Sequence, residues 1–289
     1  MRWQGRERSE NVEDRRGMRP ATAVGGGGLL ALIVAIVAIL LGADPRPFLG
    51  AVGEQQRQAQ VRQAGDGAGV DDQTREFIEV VLRDTETVWS QLFAEQVQGG
   101  AYRPPKLIIF SGTDRSGCGM ANAEMGPFYC PADQQIYIDP TFFDQLKERH
   151  NAPGDFAQAY VIAHEVSHHV QKLIGFAEIA DRARRSGDQT AANRASVRLE
   201  LQADYLAGVW AHHAHKEYDI LEPGDIAEAM NAANQIGDDT LQRLSQGFVV
   251  PERFTHGSSE QRVRWFKSGL ATGDLNGCQQ LFELDYAQL

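Results

Sequence analysis

Inside the run Val161–Gln171 stands His164-Glu165-Val166-Ser167-His168. Two imidazoles four positions apart lie on one face of an α-helix, one turn above the other. At that separation two ring nitrogens can share one Zn²⁺ at about 2.0–2.1 Å each. Glu165 falls one step round the helix, beside such an ion, where a carboxylate can take a proton from a water. The same segment constrains the fold. Tyr160, Val161, Ile162, Val166, Val170, Leu173 and Ile174 surround the pattern, so the helix is expected to be largely buried. Asn151 or Asp155 is a candidate N-cap, Pro153 suits the first turn, and Gly175 is a stop. A chance pentapeptide on an amphipathic helix is the competing explanation. Against it, imidazole and carboxylate groups in a buried helix are costly unless paired or metal-bound. A second element must therefore bring matching groups to this one.

The candidate partner is Arg198–Gly208. A catalytic zinc keeps three protein ligands and one open position for water, so two histidines leave it one ligand short. Glu200 and Asp204 are four apart and share a helical face. Glu200 can supply the third ligand, and Asp204 can accept the free ring N–H of a ligand histidine and fix its tautomer. The alternative is a solvated acidic stripe pairing with Arg194 or Arg198. Leu199, Leu201, Ala203, Leu206, Ala207 and Val209 favour a packed helix, in which carboxylates need a cation.

His164-Glu165-x-x-His168 followed by Glu200-x-x-Ala203-Asp204 resembles the zincin peptidases whose third ligand is a Glu on a downstream helix. More closely, the chain resembles a bacterial family of membrane-anchored neutral zinc metallopeptidases. Ser116–Gly119, Gly126–Gln135, Leu199–Asp204 and Thr255–Phe266 are all similar to that family, and the likeness covers roughly residues 70–275. It implies zinc and a zincin-type fold, and the expected cofactor and partner are one Zn²⁺ per chain and a polypeptide substrate. Thr255-His256 with Arg262 is further similar to a Thr-His-Pro…Arg pattern of HtpX-type membrane peptidases, with Gly257 in place of the proline. That likeness gives His256 a role at a developing oxyanion and has Arg262 steady the carboxylates of the site. Otherwise the segment is a loop leading into a helix capped by Ser258 or Ser259. His150 and His169 read as packed or solvent-facing groups. His212, His213 and His215 suit the negative end of a helix, and Tyr205 reads as core.

Lys106–Phe110 and Gln135–Asp139 read as strands, being β-branched or apolar and bounded by Gly, Pro and Asp. The Gly- and Ser-rich stretch between them holds Cys118 and Cys130. Pairing of the flanking strands brings these cysteines close enough for a disulfide, with two buried thiols as the alternative; Cys278 is expected to be free in a C-terminal tail. One of these two strands is the candidate to bind an extended substrate by main-chain hydrogen bonds.

Residues 1–20 carry Arg2, Arg6, Arg8, Arg15, Arg16 and Arg19, and residues 21–43 carry no charge. The pair reads as a cytoplasmic basic tail followed by a transmembrane signal anchor, with a cleaved signal peptide as the alternative. The domain beyond would then be extracytoplasmic in a bacterial cell membrane, where a disulfide is feasible. Residues 44–72 read as a linker rich in Gln, Gly and Ala. Residues 73–289 can bury one sizeable core. Phe77, Val80, Val81, Val88, Trp89 and Leu92 mark its first helix, and further helices are expected near 140–149, 176–187, 190–215, 223–236, 239–246 and 258–270. The expected class is α+β, mostly helical with a small sheet. The net charge of −11 and the lack of an aromatic-interleaved basic patch argue against nucleic acid. The expected activity is zinc-dependent peptide hydrolysis with Glu165 as general base. A non-catalytic module with structural zinc is the rival.

Overall fold

The computed structural model describes residues 1–17, 72–97, 100–148 and 152–289. The segment 21–43, nearly all of the linker 44–72, His150 and Asn151 lie outside the described residues. Among those described, no helix is long and apolar enough to cross a membrane. Met1–Asp14 and Arg75–Leu289 form one compact unit, and Arg15–Thr74 form a second.

The first unit is mostly helical with a small sheet. Its strands are β1 (Val12–Asp14), β2 (Lys106–Ile109), β5 (Phe128–Cys130) and β6 (Gln135–Ile138), in the order β1-β2-β6-β5. The first three in that order are mutually parallel, and β5 runs antiparallel to β6. Alternation decides the two faces. Leu107, Ile109, Ile136 and Ile138 enter the main core, while Ile108, Phe110 and Tyr137 gather with Ala121 and Cys130 on the other side. Because β2 and β6 are parallel, the chain must cross between them rather than turn back. The crossing contains a separate hairpin, β3 (Thr113–Ser116) and β4 (Gly119–Asn122), and then β5. Cys118 and Cys130 are joined by a disulfide, with Cα atoms 5.8 Å apart.

Helix α1 (Asp72–Gln96) buries Phe77, Val80, Val81, Val88, Trp89 and Leu92. After β6 come α2 (Thr141–Glu148), α3 (Asp155–Leu173), α4 (Ala177–Arg185), α5 (Gln189–Tyr218), α6 (Asp225–Gln235), α7 (Asp238–Gln246), α8 (Ser259–Thr272) and the short α9 (Gln280–Glu283). Gly154 occupies the N-cap of α3, so Asp155 opens the helix rather than capping it. Helices α5 and α8 approach through two glycines. A Cβ on Gly208 would stand 2.2 Å from the Phe266 carbonyl oxygen, and one on Gly269 would stand 1.9 Å from that of Tyr205. Only bare backbones can come this close, and the approach brings the first turn of α8 over the middle of α5.

Two expectations change. The strand facing α3 is the edge strand β5; β2 and β6, the strands expected there, are interior, because three-residue β5 is too short and mixed to stand out in the sequence. Cys278 is free but buried, since Leu275, Cys278, Leu281 and Leu289 pack into the core instead of trailing as a tail.

Candidate metal centre

Helix α3 presents His164 and His168, and α5 presents Glu200. One ligand atom from each lies within 4.8 Å of the others. Nε2 of His164 is 3.1 Å from one Glu200 oxygen, and Nε2 of His168 is 3.6 Å from the other. Tetrahedral ligands about 2.1 Å from a zinc stand roughly 3.4 Å apart. The donor set, two imidazoles and one carboxylate, fits one Zn²⁺ with a position left over.

Both imidazoles are oriented from behind. Nδ1 of His164 donates to Asp204 at 2.9 Å, which turns Nε2 towards Glu200. Nδ1 of His168 donates to the Gln171 side-chain oxygen at 2.9 Å, and Gln171 in turn donates to the Leu199 carbonyl. Asp204 is fully buried and receives a two-pronged hydrogen bond from Arg262, at 2.8 and 3.0 Å. Tyr160 adds a third donor, its hydroxyl 2.5 Å from Asp204, and itself accepts from Arg262 at 3.2 Å.

These contacts set the charges. Burial alone would raise the Asp204 carboxyl, but Arg262 and His164 outweigh it and hold it below its ordinary value. Glu200 behaves likewise, lowered by His168 and His164 against the effect of burial. Burial pulls the His164 imidazolium down, yet Asp204 and Glu200 lift it to about 10. Glu165 differs. Burial dominates there and raises its carboxyl, although both imidazoles oppose the rise. Its oxygen accepts the Tyr129 backbone N–H of β5 at 2.8 Å, which fixes a proton acceptor beside the three-ligand cluster.

His256 lines the same cleft as His164, Glu165, His168, Glu200 and Arg262, a space of about 510 Å³. Asp238, the first residue of α7, organises its loop. One Asp238 oxygen accepts the backbone N–H groups of Thr255, His256 and Gly257 at 2.7, 2.6 and 3.1 Å. The other lies 3.2 Å from Nδ1 of His256. That hydrogen bond, opposed by burial, raises the His256 pKa. Ser258 caps α8 in a reciprocal capping box with Gln261.

Tyr160, Gln171 and Asp238 escaped the sequence reading. Tyr160 stands four before His164 and Gln171 three after His168, so helical spacing carried a signal for both. Asp238 is distant in sequence and carried none. His169, His212 and His213 have structural partners. His169 is buried between the Arg103 carbonyl and the Tyr129 hydroxyl. His212 and His213 donate to the Leu270 and Gly273 carbonyls at the end of α8. Tyr205 is core, its hydroxyl bonded to the Asp274 carbonyl.

A family model described as "Putative neutral zinc metallopeptidase" matches residues 1–281. The uncharacterized protein YpfJ of Escherichia coli K12 is 46% identical over 287 residues, covering 96% of this chain and 98% of the relative. The uncharacterized proteins Mb2605 of Mycobacterium bovis and Rv2575 of Mycobacterium tuberculosis are each 42% identical over 210 residues, covering 69% of this chain and 68% of the relative. No solved structure matches. With the match spanning nearly the whole chain, and the ligand cluster, its buried orienting groups and the neighbouring carboxylate all assembled, the chain belongs to the neutral zinc metallopeptidase family.

Proposed function

We propose that the chain is a membrane-attached zinc endopeptidase of zincin type. The observation that carries this reading is the meeting of His164, His168 and Glu200, drawn from two helices to within 4.8 Å, with Glu165 beside them in an open cleft. His164 and His168 would hold the ion through Nε2, and Glu200 through a carboxylate oxygen. Zinc held there would supply a Lewis acid for the scissile carbonyl and for the attacking water. Glu165 accepts the proton of the attacking water and returns it to the departing amine, and its burial raises its proton affinity. Asp204 holds His164 in one tautomer, Arg262 and Tyr160 hold Asp204, and His256 faces the developing oxyanion.

Met125, Phe128, Phe142, Val161, Ile236 and Leu241 line the cleft. That wall suits a large apolar side chain next to the scissile bond. The Cys118–Cys130 disulfide suits an oxidising compartment, and there we place the metallopeptidase domain.

The test compares wild type, Glu165→Gln and Glu200→Ala for zinc content and for cleavage of an unfolded protein. Glu165→Gln should keep one zinc and lose about 10²–10⁴-fold in kcat. Glu200→Ala should lose both zinc and activity. Tight zinc in Glu200→Ala, or full turnover by Glu165→Gln, would sink the assignment.

A further inference from the structure

The N-terminal arm and the domain holding the metal centre are tied together by side chains of the domain's own first helix. Glu79, Asp84 and Glu86 of α1 are 8%, 3% and 6% exposed. Buried carboxylates on a helix are costly unless a cation or donor meets them. The arm meets all three. Arg6 grips Asp84 with both guanidinium nitrogens, at 2.8 and 2.6 Å, and lies 4.2 Å above the Tyr218 ring. Ser9 and Asn11 donate to Glu86. Arg8 reaches Glu79, and the Ser9 backbone N–H donates to the Glu79 carbonyl at 3.0 Å. Trp3 is buried edge-on against Phe77, ring centroids 5.4 Å apart. The arm then becomes a strand of the sheet, with β1 pairing in parallel with β2 in the register Val12↔Leu107, Glu13↔Ile108, Asp14↔Ile109.

We infer that residues 3–14 and the metallopeptidase domain lie on the same side of the membrane, so that any membrane-embedded part of the chain between them enters and leaves by one face. This replaces the expected order of cytoplasmic tail, single span and exported domain. A strand hydrogen-bonded to β2 and a tryptophan in the domain core cannot be separated from that domain by about 30 Å of hydrocarbon. Three of the arginines that suggested a cytoplasmic tail have carboxylate partners on the domain: Arg2 with Asp219, Arg6 with Asp84, Arg8 with Glu76. Their charge completes a fold and is a weak topology signal. The family match includes the arm. None of this depends on zinc or catalysis.

The test uses the full chain with Cys278→Ala and one added cysteine at an exposed position, Glu10→Cys in the arm or Leu244→Cys in the domain. Each is treated with a membrane-impermeant maleimide in intact spheroplasts and after permeabilisation, and labelling is read above the parent. Both sites should be open, or both shielded, in intact spheroplasts, and both should label once the membrane is opened. One site open with the other shielded overturns the inference. A second measurement checks the contact itself. Arg6→Ala should lower Tm in the wild-type background and have little further effect beside Asp84→Asn. An unchanged Tm in Arg6→Ala alone would mean that the arm is not docked.

Discussion

Asp204 decides the geometry of the centre without touching the ligand position. It is fully buried and collects hydrogen bonds from His164, Tyr160 and Arg262. An uncompensated carboxylate could not sit there. Asp204→Asn keeps an acceptor for His164 but removes the charge opposite Arg262. Zinc affinity should fall about 10–100-fold, because a neutral amide behind His164 makes the ring a less basic ligand than a carboxylate does. The buried guanidinium left behind should cost about 3–5 kcal/mol of stability. Competition titration with a chelating dye, alongside thermal unfolding, reads both. Wild-type zinc affinity in Asp204→Asn would mean that the Asp204 charge does not tune His164. At this scale much was legible, because Glu200 and Asp204 share a helical face and His164 must find something behind it. Gln171 and Tyr160 were hidden inside apolar runs where glutamine and tyrosine look like ordinary filling.

Among elements, β5 joins the disulfide to Glu165. Cys130 ends the strand, and the preceding Tyr129 gives its backbone N–H to Glu165. Tyr129 also donates its hydroxyl to His169, so the strand is moored to α3 at two points. Closing a loop of this size stabilises a fold by about 3 kcal/mol. In Cys118→Ser/Cys130→Ser the lost clip should lower Tm. It should also lower kcat with little change in zinc content, because the acceptor geometry of Glu165 loosens while the ligands on α3 and α5 stay packed. A variant with reduced Tm but wild-type kcat at a temperature well below unfolding would break the link between strand and catalysis. The long helices and the β-branched strands β2 and β6 could be read from periodicity. The short strands could not. Val12–Asp14 has no apolar alternation, and Phe128–Cys130 is a strand because β6 offers an edge beside it.

At the scale of the whole molecule, the candidate metal centre is framed by the packing of the helices that carry it. Helices α3 and α5 share the apolar core, and the glycine contact locks α8 across α5, so Arg262 and Asp204 meet regardless of what Glu200 binds. What the sequence concealed here was the docking of the arm, whose partners on α1 look like ordinary surface acids. The preformed centre has a pH signature. Without an ion, burial lowers the His164 imidazolium, but Asp204 and Glu200 outweigh burial and lift its pKa from 6.5 to about 10. A group raised in this way contributes stability that is full below pH 6.5 and is lost as pH rises through about 10. Zinc requires the neutral ring, so binding expels the proton throughout that window, and apparent affinity should climb about tenfold per pH unit. Chelation should therefore leave the helical circular dichroism intact while lowering Tm. At fixed free zinc, the gap between loaded and chelated protein should widen from pH 6.5 towards 9, as tighter binding adds more stability. Calorimetry at several pH values, with and without chelator, measures that gap. A gap constant in pH would place the displaced proton elsewhere, and loss of helicity on chelation would make the ion part of the fold.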